Sequence, residues 1–84
     1  PNLYAISICT VDGQQFSRGD CDTDFTIQSC SKVFTYCVGA EDYGPDYVHN
    51  HIGFEPSGVA FNAFQLDDNN KPHNPMINAG AITT

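Results

Sequence analysis

Cysteine, valine and phenylalanine recur in TIQSCSKVFTYCVG at Cys30, Val33, Phe34, Cys37 and Val38. This i, i+3, i+4, i+7, i+8 spacing is that of one face of an α-helix. An apolar stripe of that width is expected to be core. The helix is expected to run from Ser29 to about Ala40, with Gly39 and Gly44-Pro45 as stop signals. On the same wheel Ser29, Lys32 and Tyr36 fall within roughly a 60° sector beside the stripe. A hydroxyl, an amine and a phenol are then expected to rise from one edge.

The rest of the chain divides by its turn formers. LYAISICTV alternates and is rich in β-branched residues, Asp12-Gly13 marks a turn, and QQFS follows, so residues 3 to 18 read as an antiparallel hairpin. PDYVHNHIG predicts a short helix opened by Pro45. Residues 53 to 75 are dominated by turn formers around one apolar patch, Val59 to Leu66, and read as a long structured loop. MINAGAITT is expected to start a further helix whose small residues permit close packing.

At 84 residues the chain is at most one small domain. It begins at Pro1 without a methionine and stops in AGAITT, so it is expected to be an excised piece, truncated at both ends. Ten acids against Lys32, Lys71 and Arg18 give a net charge of −7, which leaves no basic footprint for nucleic acid. Apolar runs are too short for a bilayer span, and no secretory signal is visible, so no membrane role is expected. Cysteines 9, 21, 30 and 37 form no CxxC and are expected to be reduced and buried.

Several polar clusters have plain structural readings. DCDTD at 20 to 24 carries acids at calcium-loop spacing, but Phe25 and Ser31 stand where such a loop needs glycine and glutamate, so it reads as a solvated acidic turn. His49 and His51 form an HxH whose rings a helix turns about 200° apart, and no metal is expected there. Ser57 has no base within reach in the sequence. His73, between Pro72 and Pro75, has the chemistry of a general base, but the flanking prolines point to a stiffened loop.

Ser29 and Lys32 carry more chemistry. A serine becomes a nucleophile when a neighbouring base takes its proton, and a lysine is such a base only when neutral. Apolar neighbours and the positive end of a helix both favour the neutral amine. The same helix end offers the Ser29 N–H as an oxyanion donor, typically worth about 3–4 kcal/mol in the transition state. This arrangement suits acyl transfer. Taken alone, SxxK equally fits a penicillin-binding protein or β-lactamase, or chance in a non-catalytic interaction module.

QSCSK at 28 to 32, DYVHNHIGFEPSG at 46 to 58 and KPHNPMINAGAI at 71 to 82, in that order, resemble the serine-dependent glutaminases, most closely the phosphate-activated kidney and liver type. The resemblance covers essentially the whole chain. It implies an α+β sandwich with the fold of serine β-lactamases and penicillin-binding proteins, and hydrolysis of L-glutamine without a cofactor. By that resemblance Ser29 is the nucleophile, Lys32 the general base, and Gln28 and Asn78 substrate contacts alongside Ser29. It further implies a homotetramer, a mitochondrial location and inorganic phosphate as an activator. GVAFNAFQLDD matches the loop that gates the site at the tetramer interface, with Ala60 and Ala63 where mammalian relatives carry basic residues. Ser31 stands where relatives usually carry valine and is expected to point away from Ser29.

Overall fold

The computed structural model describes residues 2–84. Strands β1 (Ala5–Cys9) and β2 (Gln15–Gly19) pair antiparallel, with Ile6 opposite Arg18 and Ile8 opposite Phe16. The turn is tied by Thr10 N–H to Gln14 O at 2.9 Å and by Gly13 N–H to Thr10 O at 2.9 Å. Asp12 accepts from the Thr10 hydroxyl and from Gln14 Nε2. These bonds hold its carboxyl below the usual carboxylate range, the Thr10 contact most of all. At the open end Asp20 Oδ2 accepts from Tyr4 N–H at 2.9 Å while Asp20 N–H returns to Tyr4 O. The acidic turn therefore closes the hairpin.

A 3₁₀ turn over Gln28–Cys30 leads into α1 (Ser31–Tyr43). Helix α1 ends at Gly44, whose φ of 83° lies in the left-handed region that favours glycine, and Pro45 opens α2 (Pro45–His51) directly after it. The helix thus runs past Gly39, which is not a stop. Gly39 instead lies beside Val48 of α2 and faces Thr84, whose methyl an added side chain would meet at 3.1 Å. Helix α3 (Asn78–Thr83) begins two residues inside the expected MINAGAITT segment.

Among the described residues, Val48, Ile52 and Ile77 are the buried aliphatic side chains, with Pro72, Pro75 and Gly80 buried as well. The three aliphatic residues gather α2, its exit and the entrance of α3 on the side of α1 that carries Lys32, Tyr36, Gly39 and Ala40, all half-buried. The expected core face of α1 points the other way. Val33, Phe34 and Val38 are 51%, 65% and 57% exposed, and Cys30 and Cys37 are exposed with them. The reason is that both neighbouring helices pack on the small-residue side of α1, where backbones can come close, and none of the described elements covers the stripe. All four cysteines are free thiols, as expected, but exposed rather than buried.

The long loop is organised by backbone bonds. Gly53 N–H donates to Pro72 O at 2.8 Å and Glu55 N–H to His73 O at 3.1 Å, so its two ends lie side by side. Between them Asp67 accepts from Asn69 N–H and Lys71 N–H, and Leu66 pairs with Pro72. Among the described residues no helix is long and apolar enough to cross a membrane.

Candidate functional site

The site begins where the chain turns into α1. Gln28 has a φ of 46°, an unusual value for a residue with a side chain and one that gathers at functional sites. It throws Ser29 into the 3₁₀ turn rather than the α-helix proper, so Ser29 departs from the wheel position expected of it. Among the described residues neither the Ser29 hydroxyl nor its backbone N–H has a hydrogen-bond partner. Both are therefore free for another molecule. Ser31 does not point away as expected: its hydroxyl donates to Gln28 O at 2.7 Å and it lines the same cleft. That bond holds the turn from below.

Lys32, one turn further in, spans the gap to α3. Its Nζ donates to Met76 O at 3.0 Å and to Asn78 Oδ1 at 2.7 Å, and lies 5.6 Å from the centre of the Phe61 ring. Asn78 is itself fixed, because its backbone N–H donates to Phe61 O at 2.8 Å. The Asn78 amide presents its oxygen to the lysine, and its Nδ2, a double donor, has no partner among the described residues. Gln28, Ser29, Lys32 and Asn78 line one cleft of about 320 Å³, walled on the far side by Ala81 and Ile82. That volume lies at the small end of the roughly 300–1,000 Å³ found for small-molecule sites.

Gly80 decides where Asn78 stands. A methyl group placed on it would lie 1.8 Å from Asn74 O, so α3 can seat itself on the Asn74-Pro75 segment only because no side chain intervenes. Nothing in the residue pattern marks Asn74 or the Met76 carbonyl as part of the site. Asn74-Pro75 was legible as a turn signal, but a backbone acceptor leaves no trace in a side-chain pattern.

Other candidates fall away from the cleft. Tyr36 does not join Ser29 and Lys32; its hydroxyl meets His49 Nε2 at 2.9 Å. His49 Nδ1 lies 3.0 Å from Ile52 O and must donate there, so Nε2 accepts from the phenol. His51 turns to Tyr47 O instead. No group of three metal-ligating side chains occurs among the described residues. His73 Nδ1 is buried without a hydrogen-bond partner among the described residues, while its carbonyl ties down the loop. It does not line the cleft.

The glutaminase family model matches residues 1–84. A glutaminase of Nostoc sp. is 58% identical over 85 residues, which take in 100% of this chain and 25% of that protein. The mitochondrial liver glutaminase isoform of Rattus norvegicus is 49% identical over 82 residues, 98% of this chain and 14% of its own length. A crystal structure of a Bacillus glutaminase superposes with a TM-score of 0.78 at 41% identity, over 93% of this chain and 27% of that one. The chain thus spans about a quarter or less of these relatives. Its elements are part of the β-lactamase-like fold of the glutaminases, in agreement with the α+β expectation. Bacterial and mitochondrial proteins match alike, so membership does not carry the expected mitochondrial location. On the family match over its whole length and the identity to these relatives, the chain belongs to the glutaminase family.

Proposed function

We propose that these residues form the nucleophile-bearing part of a larger catalytic domain that hydrolyses the side-chain amide of L-glutamine through an acyl-enzyme. Ser29 Oγ attacks the amide carbon as its proton passes to Lys32 Nζ. The Ser29 N–H supports the oxygen of the tetrahedral intermediate, and Lys32 returns the proton to the departing ammonia. Water then attacks the glutamyl ester on Ser29, again giving its proton to Lys32. As the tetrahedral intermediate collapses and glutamate leaves, the departing Ser29 oxygen takes that proton from Lys32, which regenerates the hydroxyl and the neutral amine. Gln28 and the free Nδ2 of Asn78 hold the substrate, whose carboxylate and ammonium need opposite partners.

The observation that carries this reading is the setting of Lys32. A neutral amine has two N–H bonds and one lone pair. Met76 O and Asn78 Oδ1 accept two N–H bonds from Nζ and fix it in the cleft it shares with Ser29, so that in the neutral form the proposal requires, the lone pair has no other partner to serve than the serine. Association of subunits through the 59–66 segment, and phosphate as an activator, belong to the same proposal. Phe64, 87% exposed, is the natural contact.

Lys32→Arg in the full-length protein tests the chemistry. A guanidinium keeps the positive charge but cannot accept a proton at working pH. Glutamate release is expected to fall at least about 10²-fold in both Lys32→Arg and Lys32→Met, with both proteins folded. A Lys32→Arg enzyme within about tenfold of wild type leaves the lysine an electrostatic role and ends the general-base assignment.

A further inference from the structure

Lys32 has two acceptors, and only one of them is a side chain. The other, Met76 O, belongs to the backbone between Pro75 and Ile77, so its position depends on whatever holds that backbone. Asn74 holds it. Its Oδ1 accepts from Met76 N–H at 3.0 Å and from Ile77 N–H at 3.2 Å, an Asx turn that folds the chain over Pro75. Its Nδ2 donates to Glu55 O at 2.9 Å, which ties the turn to the paired 53–55 and 72–73 segments. Its own carbonyl is the surface on which Gly80 of α3 rests. One half-buried amide thus fixes the peptide that carries Met76 O, and its backbone seats the helix that carries Asn78.

We propose that Asn74 is a positioning residue for Lys32, acting through the Met76 carbonyl. It does not line the cleft with Ser29 and Lys32, so it is not expected to touch substrate. The two N–H groups it accepts, on Met76 and Ile77, have no other partner among the described residues. Without Oδ1 the turn opens and Met76 O leaves the amine. Lys32 Nζ then keeps a single anchor, Asn78, and can rotate out of line with the serine. The proposal rests on Lys32 being the base, as argued above.

The test uses the full-length protein and three changes. Asn74→Ala is expected to lower kcat for glutamine about 10- to 100-fold, the scale of a misplaced reacting group, while KM moves within about twofold. Asn74→Asp, whose carboxylate still accepts from both N–H groups, is expected to recover most of that kcat. Combined with Lys32→Met, Asn74→Ala should cost nothing further, because it acts only through the lysine. Where Asn74→Ala does not fold, Asn74→Ser takes its place. The serine hydroxyl can accept from one of the two N–H groups, so an intermediate kcat is expected. The proposal is overturned by a kcat within twofold of wild type in Asn74→Ala, by an Asn74→Asp no better than alanine, or by losses that simply add to that of Lys32→Met. Failure of the general-base reading shows separately, as a Lys32→Met protein that keeps its activity whatever stands at position 74.

Discussion

Gly80→Ala is the sharpest test of how the site is assembled. Alanine is the better helix former by about 1 kcal/mol, so an isolated helix would gain from the change. Here the new methyl would stand 1.8 Å from Asn74 O, 2.7 Å from Asn74 C and 3.1 Å from Pro75 Cα. Real methyl groups essentially never come closer than 3.0 Å, so at least 1.2 Å of movement is needed. What it meets is backbone, held by the Asn74 turn, and not a side chain that can swing aside. Helix α3 has to give way, and Asn78 sits at its first residue with only 2.7 Å to Lys32 Nζ. A displacement of Asn78 by that amount is enough to break a 2.7 Å bond. Overpacking of this kind costs typically about 1–3 kcal/mol, which offsets the propensity gain or exceeds it. In the full-length protein, glutamate release is expected to fall by about 10²-fold, since about 1 Å of misplacement has that effect on a reacting group. Thermal unfolding and steady-state kinetics on the same preparation read both effects. A Gly80→Ala protein that is more stable than wild type and fully active would refute the packing argument and the link from α3 to Lys32 together.

Two further predictions concern the long loop. In the full-length protein, Phe64→Ser is expected to lower both the oligomer mass in light scattering and the turnover, with Ser29 and Lys32 untouched; unchanged mass and turnover would remove the proposed subunit contact. Asp67 is held below its ordinary value of 3.8 by the Lys71 N–H first and the Asn69 N–H second. The unfolded chain therefore takes up the proton more readily, and the contribution of Asp67 is present above 3.8 and lost as pH falls through the lower folded value. The stability difference between wild type and Asp67→Asn should shrink below that pH, and a difference that stays constant there would show that the carboxylate charge is not what these N–H groups hold.

The hairpin was legible because its turn chemistry is local: Asp12-Gly13 has few alternatives, and the bonds from Thr10 to Gln14 and Gly13 realise it. Pro45 announced α2 for the same reason. The orientation of α1 was not legible. Periodicity reveals that a helix has an apolar face; it does not say whether the partner of that face lies nearby in sequence. The helices that are near, α2 and α3, chose the Gly39 and Ala40 side, where a close approach is possible and where Lys32 and Tyr36 find acceptors. Ser29 and Lys32 stand out in the residue pattern, Gln28 and Asn78 only through the family resemblance, and all four line one cleft, but what holds Lys32 there is not legible. Met76 O carries no residue signature, and Asn74 looked like an ordinary turn former.

The two faces of α1 set a final prediction. The accessible area of the whole chain, 6822 Å², exceeds the roughly 4,900 Å² expected of a compact chain of this mass. Its radius of gyration, 16.4 Å, exceeds the ~12 Å expected for this length. The surplus includes much apolar surface: Val33, Phe34 and Val38 on the outer side of α1, and Ile6, Ile8 and Phe16 on one side of the hairpin. The inner side of α1 builds the Lys32 cleft, yet α1 is held in place on that side alone. An isolated 84-residue chain is then expected to associate in solution, to unfold without a sharp transition, and to release no glutamate. It is expected to lack the substrate contacts of a whole domain, and its outer apolar surfaces have nothing to pack against. Sedimentation, thermal unfolding and a glutamate assay on the purified 84 residues check this directly. A monomer with a sharp transition would show that the small core around Val48, Ile52 and Ile77 suffices, and glutamate release would show that the cleft is complete as it stands.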